Sequence, residues 1–127
     1  MLDLSQIEQQ INCDDRILAA YLFGSAVQDQ LRLESDIDIA LLPVSGKKLP
    51  PLDLLEMATL LTSSAGRTVD LGVMSSQNLI YSSQAILTGQ RFLCRDQYEA
   101  DLSVATLLGL TVQFKFERQE IVNGYTH

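Results

Sequence analysis

The sequence predicts an α/β domain in which about four strands form one sheet flanked by helices, with a long helix closing the chain. Three observations carry that expectation. Short apolar runs of strand length alternate with segments whose apolar residues recur at helical spacing. Glycines stand where two of the helical segments end, at Gly66 and Gly89. No internal repeat, low-complexity tract or long linker breaks the alternation, so residues 1–127 are expected to form a single domain. A chain of 127 residues can bury a core, and the alternation implies helices packed on a central sheet.

Residues 3–12 place Leu4, Ile7 and Ile11 at helical spacing, which predicts a short amphipathic helix. A polar break follows from Asn12 to Asp15. Ile17 to Phe23 is a compact apolar run ending at Gly24 and reads as a buried strand. Ser25 to about Leu31 is expected to be a short helix with Ser25 near its N-cap. Asp36 to Leu42 reads as a second strand, closed by Pro43. The turn-rich stretch VSGKKLPP leads into a helix over Asp53–Ser64, with Leu54, Leu55, Ala58, Leu61 and Ala65 as its apolar positions. Thr68–Met74 alternates and reads as a third strand. Gln77–Thr88 reads as a helix, and Arg91–Cys94 as a short fourth strand. From Asp96 onward one long helix is expected, with Leu102, Ala105, Leu108, Val112 and Phe116 along one stripe. The wider set Leu107, Leu108, Leu110, Val112, Phe114 and Phe116 exceeds one packed face. Core packing and a partner or dimer surface both remain open for it.

Composition narrows the function classes. Hydrophobic residues make up 46% and charged residues 20%, as in a folded soluble protein and unlike a disordered tail. No apolar run approaches the ~20 residues a membrane helix needs. The first residues, MLDLSQIEQQ, lack the basic-then-apolar order of a signal peptide, so a cytoplasmic location is expected. Cys13 and Cys94 are then expected as reduced thiols, and neither belongs to a metal-type pair. The formal net charge of −7 argues against direct binding to a nucleic-acid backbone, where Lys and Arg dominate. It suits divalent cations or a basic protein partner, although solubility alone explains it equally well.

The chemistry lies in two acidic strands and a Gly-Ser pair. Side chains alternate faces along a strand, so Asp36 and Asp38 point one way while Ile37 and Ile39 point into the core. Two parallel carboxylates form a hard-oxygen site suited to Mg²⁺. In the third strand Val69, Leu71 and Val73 share one face, and Asp70 lies on the other with Gly72. If that strand pairs beside the second, Asp70 falls close to Asp36 and Asp38. Three carboxylates there can hold two cations, the arrangement used for in-line phosphoryl displacement. Gly24-Ser25, between a strand and a helix, offers backbone N–H groups and a hydroxyl to a nucleotide triphosphate. Taken singly, Gly-Ser is usually a turn, and an Asp in a strand usually sits at an end or edge. The joint spacing sets this set apart.

Gly24-Ser25, ten residues, then Asp36-x-Asp38 resembles the signature of the DNA polymerase β-like nucleotidyltransferase superfamily. In size the chain is similar to the minimal nucleotidyltransferases (MNT) encoded beside a HEPN-domain protein as a toxin–antitoxin pair. The resemblance extends over Val69-Asp70-Leu71 and the Gly89-Gln90-Arg91-Phe92-Leu93 step into the last helix. It implies a nucleotidyltransferase-type mixed sheet. It implies transfer of AMP from ATP, with two Mg²⁺ ions, to a tyrosine hydroxyl of a cognate HEPN RNase toxin, which is neutralised in a hetero-oligomer. Carried onto this chain, Gly24 and Ser25 would bind the triphosphate, and Asp36 and Asp38 would ligate both metals. Asp70 would ligate the catalytic metal and help deprotonate the attacking hydroxyl. The chain departs from the family pattern at Ala26, where many members carry a basic residue, and at Asp29, where many carry glycine. Arg32 lies in the same loop as a compensating cation.

Two other readings compete. A non-catalytic antitoxin would neutralise its toxin by direct binding, but would not need Asp36, Asp38 and Asp70 together. A small-molecule nucleotidyltransferase usually needs a second domain for its acceptor. Elsewhere, His127 at the chain end reads as frayed rather than catalytic. Tyr21 and Tyr81 read as core or interface, and Lys47 and Lys48 as solvated loop charges.

Overall fold

The computed structural model describes residues 4–24 and 36–125, with side chains described as far as residue 119. The expected helix over Ser25–Leu31, the Ser25, Ala26, Asp29 and Arg32 positions, and His127 lie outside the described residues. The elements run in the expected order: α1 (Ser5–Asn12), β1 (Ile17–Phe23), β2 (Ile37–Pro43), α2 (Pro51–Ala65), β3 (Val69–Val73), α3 (Leu79–Thr88), β4 (Gln90–Cys94) and α4 (Gln97–Tyr125). The four strands form one mixed sheet in the order β3-β2-β1-β4. β1 pairs antiparallel with both β2 and β4, while β2 and β3 run parallel. Among the described residues, no helix is long and apolar enough to cross a membrane.

β1 sits inside the sheet, and this explains its sequence. Six of its seven residues are buried, so alternation gives way to a continuous apolar run. β2 shows the same density after its first rungs, with Ile37, Ile39, Ala40, Leu41 and Leu42 all buried. The sheet carries a core on each face. On one side, Ile37, Ile39, Leu41 and Val69 meet Ile7 and Ile11 of α1 and Leu61 of α2. On the other, Tyr21, Ala40, Leu42 and Met74 meet Ala85 of α3 and Ala100 and Leu107 of α4. Each fully buried leucine or isoleucine contributes roughly 1.5–3 kcal/mol of transfer free energy.

Local chemistry sets the ends of α2. The helix begins two residues before the expected Asp53, because Pro51 occupies its first turn, where no N–H partner is missed. It stops at Gly66, which is left-handed at φ +70 and whose N–H donates to the Thr62 carbonyl at 3.0 Å. The Thr62 hydroxyl then accepts the Val69 N–H at 2.9 Å, coupling the end of α2 to the start of β3.

α4 decides which of its apolar residues pack. The stripe through Leu102, Ala105, Leu108, Val112 and Phe116 is not the packed face. Leu102, Val112 and Phe116 are 54%, 69% and 61% exposed. The helix seats instead through Ala100, Val104, Leu107 and Thr111, spaced four, three and four apart. Ala100 lets the helix come close, and the buried Thr111 hydroxyl is satisfied by the Leu107 carbonyl at 2.7 Å. Apolar residues surround this helix on every side, so periodicity alone could not select the buried one. Cys13 and Cys94 are free and exposed.

Candidate active site

The site lies where β1 ends and β2 and β3 begin. β2 starts at Ile37, with Asp36 exposed immediately before it. The Ile37 N–H donates to the Thr68 carbonyl at 2.8 Å, which ties the starts of β2 and β3 level. One residue further, Asp38 pairs across β1 with Phe23 and across β3 with Asp70. Paired residues share a face, so the expected meeting of Asp38 with Asp70 is realised by direct register. Ile37, Ile39 and Leu71, of opposite parity, enter the α1–α2 core. Alternation therefore buries the isoleucines and turns the carboxylates toward the α3–α4 side.

Gly24 closes the site from β1. Its φ of +79 lies in the left-handed region, which L side chains rarely adopt. A Cβ at Gly24 would also stand 2.9 Å from Asp38 Oδ2. Both facts require glycine here, and together they bring bare backbone against the central carboxylate.

Among the described residues, the acids stand together without an ion-paired counter-charge. Burial, followed by the charges of Asp70 and Asp36, pushes the Asp38 carboxyl above its ordinary value of 3.8. The ion pairs among the described residues join Arg16 to Asp14 and Asp53, and Arg91 to Asp101; none reaches Asp36, Asp38 or Asp70. The described residues contain no group of three or more His, Cys, Asp or Glu side chains already gathered as a metal nest. The donor set nonetheless fits a hard divalent cation: like-charged carboxylates on neighbouring strands repel, and a cation between them offsets the repulsion that adds to burial in raising Asp38.

Tyr81 of α3 also stands at this site, although the sequence reads it as core or interface. Its ring meets Phe23 edge-on, with centroids 5.4 Å apart. Burial and the Asp38 charge push its phenol up to about 12, so the hydroxyl stays protonated at neutral pH. The sequence signal that marks it is Gly72, two residues beyond Asp70 on the same face. A Cβ on Gly72 would collide with the Tyr81 phenol. Lys47 and Lys48 are exposed in the loop after β2, as expected of solvated charges.

A family model for the polymerase beta nucleotidyltransferase domain matches residues 5–98. Among solved structures, the chain is similar to one described as a toxin–antitoxin with AMP-PNP. The TM-score is 0.84 at 25% identity, over 99% of this chain and 100% of that one. It is also similar to a mutant of the toxin–antitoxin MntA–HpeT, with TM-score 0.82 at 25% identity over 100% of both chains. A third similar structure is the tri-AMPylated Shewanella oneidensis HEPN toxin in complex with MNT antitoxin. There the TM-score is 0.74 at 24% identity, over 96% of this chain and 94% of that one, a likeness of fold. No curated protein sequence matches the chain.

Proposed function

The chain belongs to the polymerase beta nucleotidyltransferase family, and on that premise we propose that it is an antitoxin that transfers AMP from ATP to a tyrosine hydroxyl of a cognate HEPN toxin. The observation that carries this reading is the register of Asp38 with Asp70 beside the bare backbone of Gly24. A site kept only for docking needs neither a left-handed glycine against a half-buried acid nor two acids in register. AMP-PNP with one similar toxin–antitoxin and a tri-AMPylated toxin in another similar complex support the donor and the product.

Asp36, Asp38 and Asp70 would hold the Mg²⁺ ions. Bound there, the ions would neutralise charge on the transferring phosphoryl group and on the departing pyrophosphate. The chain's own residues do the rest. The Gly24 backbone and Ser25 bind the triphosphate and orient its α-phosphorus toward the acids. The acceptor hydroxyl enters beside Asp70, whose carboxylate takes its proton as the oxygen attacks phosphorus. A bond from the tyrosine oxygen to phosphorus forms, the bond to pyrophosphate breaks, and the toxin leaves as a phosphodiester of AMP. The exposed apolar flank of α4, at Leu102, Val112 and Phe116, supports a protein partner.

The test uses the protein encoded in the adjacent reading frame. We expect incubation with Mg²⁺ and ATP to add AMP-sized increments to that protein's intact mass. Asp36→Ala with Asp38→Ala should abolish them while leaving the melting curve cooperative. Neutralisation of the toxin without any mass increment would replace this reading with stoichiometric binding.

A further inference from the structure

Tyr81 stands beside the carboxylates and has no part in the mechanism above. The paired strands lay the site face out in rows. Phe23, Asp38 and Asp70 form the outer row, and Tyr21, Ala40 and Gly72 form the next one inward. Successive rows are about 6.5 Å apart. Small residues at Ala40 and Gly72 leave a notch in the second row. The Tyr81 ring enters it over Gly72, where an added Cβ would lie 2.9 Å from Cε2 and nearer still to the phenol oxygen. The same ring meets Phe23 edge-on, at an interplanar angle of 77°. α3 itself is anchored at its start. The buried Ser82 hydroxyl accepts the Ser75 N–H at 3.0 Å and donates to the Asn78 carbonyl at 2.8 Å.

A ring that only filled the notch would need no hydroxyl. This hydroxyl has no hydrogen-bond partner among the described residues, although the side chain is half-buried. Its position over Gly72 puts it one row behind Asp38 and Asp70. The ring supports Phe23, the residue that leads directly into Gly24.

We propose that Tyr81 is a positioning residue of the transfer site. Its ring sets the Phe23–Gly24 strand end against Asp38, and its hydroxyl supplies Asp38 with the hydrogen bond that fixes the carboxylate when a divalent cation binds. The site is taken from the transferase reading, but metal affinity reads the role of Tyr81 separately.

The experiment compares wild type, Tyr81→Phe and Tyr81→Leu for Mn²⁺ affinity by calorimetry, for melting temperature, and for kcat and the KM of ATP. Tyr81→Phe keeps the ring. It should melt as wild type does, bind Mn²⁺ roughly tenfold more weakly, as loss of one hydrogen bond to a charged group implies, and lower kcat with little change in KM. Tyr81→Leu also loses the edge contact and should raise KM. A Tyr81→Phe protein with wild-type Mn²⁺ affinity and kcat would overturn the proposal, because a tyrosine that only packs changes melting and nothing else. If wild type binds Mn²⁺ but transfers AMP to no partner, the transferase reading fails, and the Mn²⁺ comparison still decides the role of Tyr81. If wild type binds no Mn²⁺, both fall.

Discussion

Gly24→Ala separates backbone strain from damage to the site, because the chain contains its own control. Gly24 and Gly46 have nearly the same left-handed φ, +79 and +82. Alanine in that region costs roughly 1–2 kcal/mol at either position. At about 4 °C per kcal/mol for a chain of this size, each variant should melt roughly 4–8 °C below wild type. Their surroundings differ. A Cβ at Gly46 meets nothing within 4 Å, whereas at Gly24 it meets Asp38 Oδ2 at 2.9 Å. The Asp38 carboxylate must then retreat by about 0.6 Å to regain an ordinary separation of about 3.5 Å. Misplacement by about 1 Å can cost about a hundredfold in rate, so roughly tenfold is expected here. The assay is thermal melting of both variants beside AMP transfer measured at a temperature where both are folded. A loss of stability at Gly24→Ala at least as large as at Gly46→Ala, with a roughly tenfold loss of transfer at Gly24→Ala alone, is expected. Equal transfer by the two variants would refute the claim that Gly24 is glycine for the sake of Asp38.

Other perturbations test different parts of the account. In metal-free buffer, the Asp38 carboxyl is held above 3.8 in the folded chain, so the folded state binds its proton more tightly than the unfolded state. The stability it contributes is present below about pH 3.8 and is lost as pH rises through the raised folded value. Asp38→Asn should therefore raise the melting temperature at about pH 7 more than at about pH 3.5, while abolishing transfer; an equal shift at both would contradict that sign. Leu61→Ala removes a fully buried side chain from the α1–α2 core. It should cost about 2–5 kcal/mol in urea unfolding, with transfer per folded molecule unchanged. Val112→Ser with Phe116→Ser changes side chains that are largely exposed on α4. Stability should move by less than about 1 kcal/mol, whereas co-purification with the toxin should fall; unchanged co-purification would place the partner elsewhere.

β1 is legible as an unbroken apolar run, and β2 by the alternation with which it opens. Ile37, Ile39 and Leu41 alternate with Asp38 and Ala40, and that parity assigned Asp38 to the face opposite the isoleucines before any pairing was known. The meeting of Asp38 with Asp70 is different in kind. It depends on β2 and β3 lying parallel and in register, a long-range fact that spacing along the chain allows but does not encode. The packed face of α4 is not legible because apolar residues surround the helix, and the buried side is chosen by what α3 and β1 offer: room for Ala100 and a seat for Leu107. Tyr81 was missed for a related reason. Its place in the site depends on an empty volume at Gly72, nine residues away, and a missing side chain becomes informative only when something is seen to fill it.

The decisive measurement is a crystal structure with Mn²⁺ and α,β-methylene-ATP, which cannot release pyrophosphate. Anomalous density for Mn²⁺ is expected between the carboxylates of Asp38 and Asp70, with a triphosphate against the backbone at Gly24. Nucleotide bound away from Gly24, or Mn²⁺ held by neither acid, would contradict the proposed site.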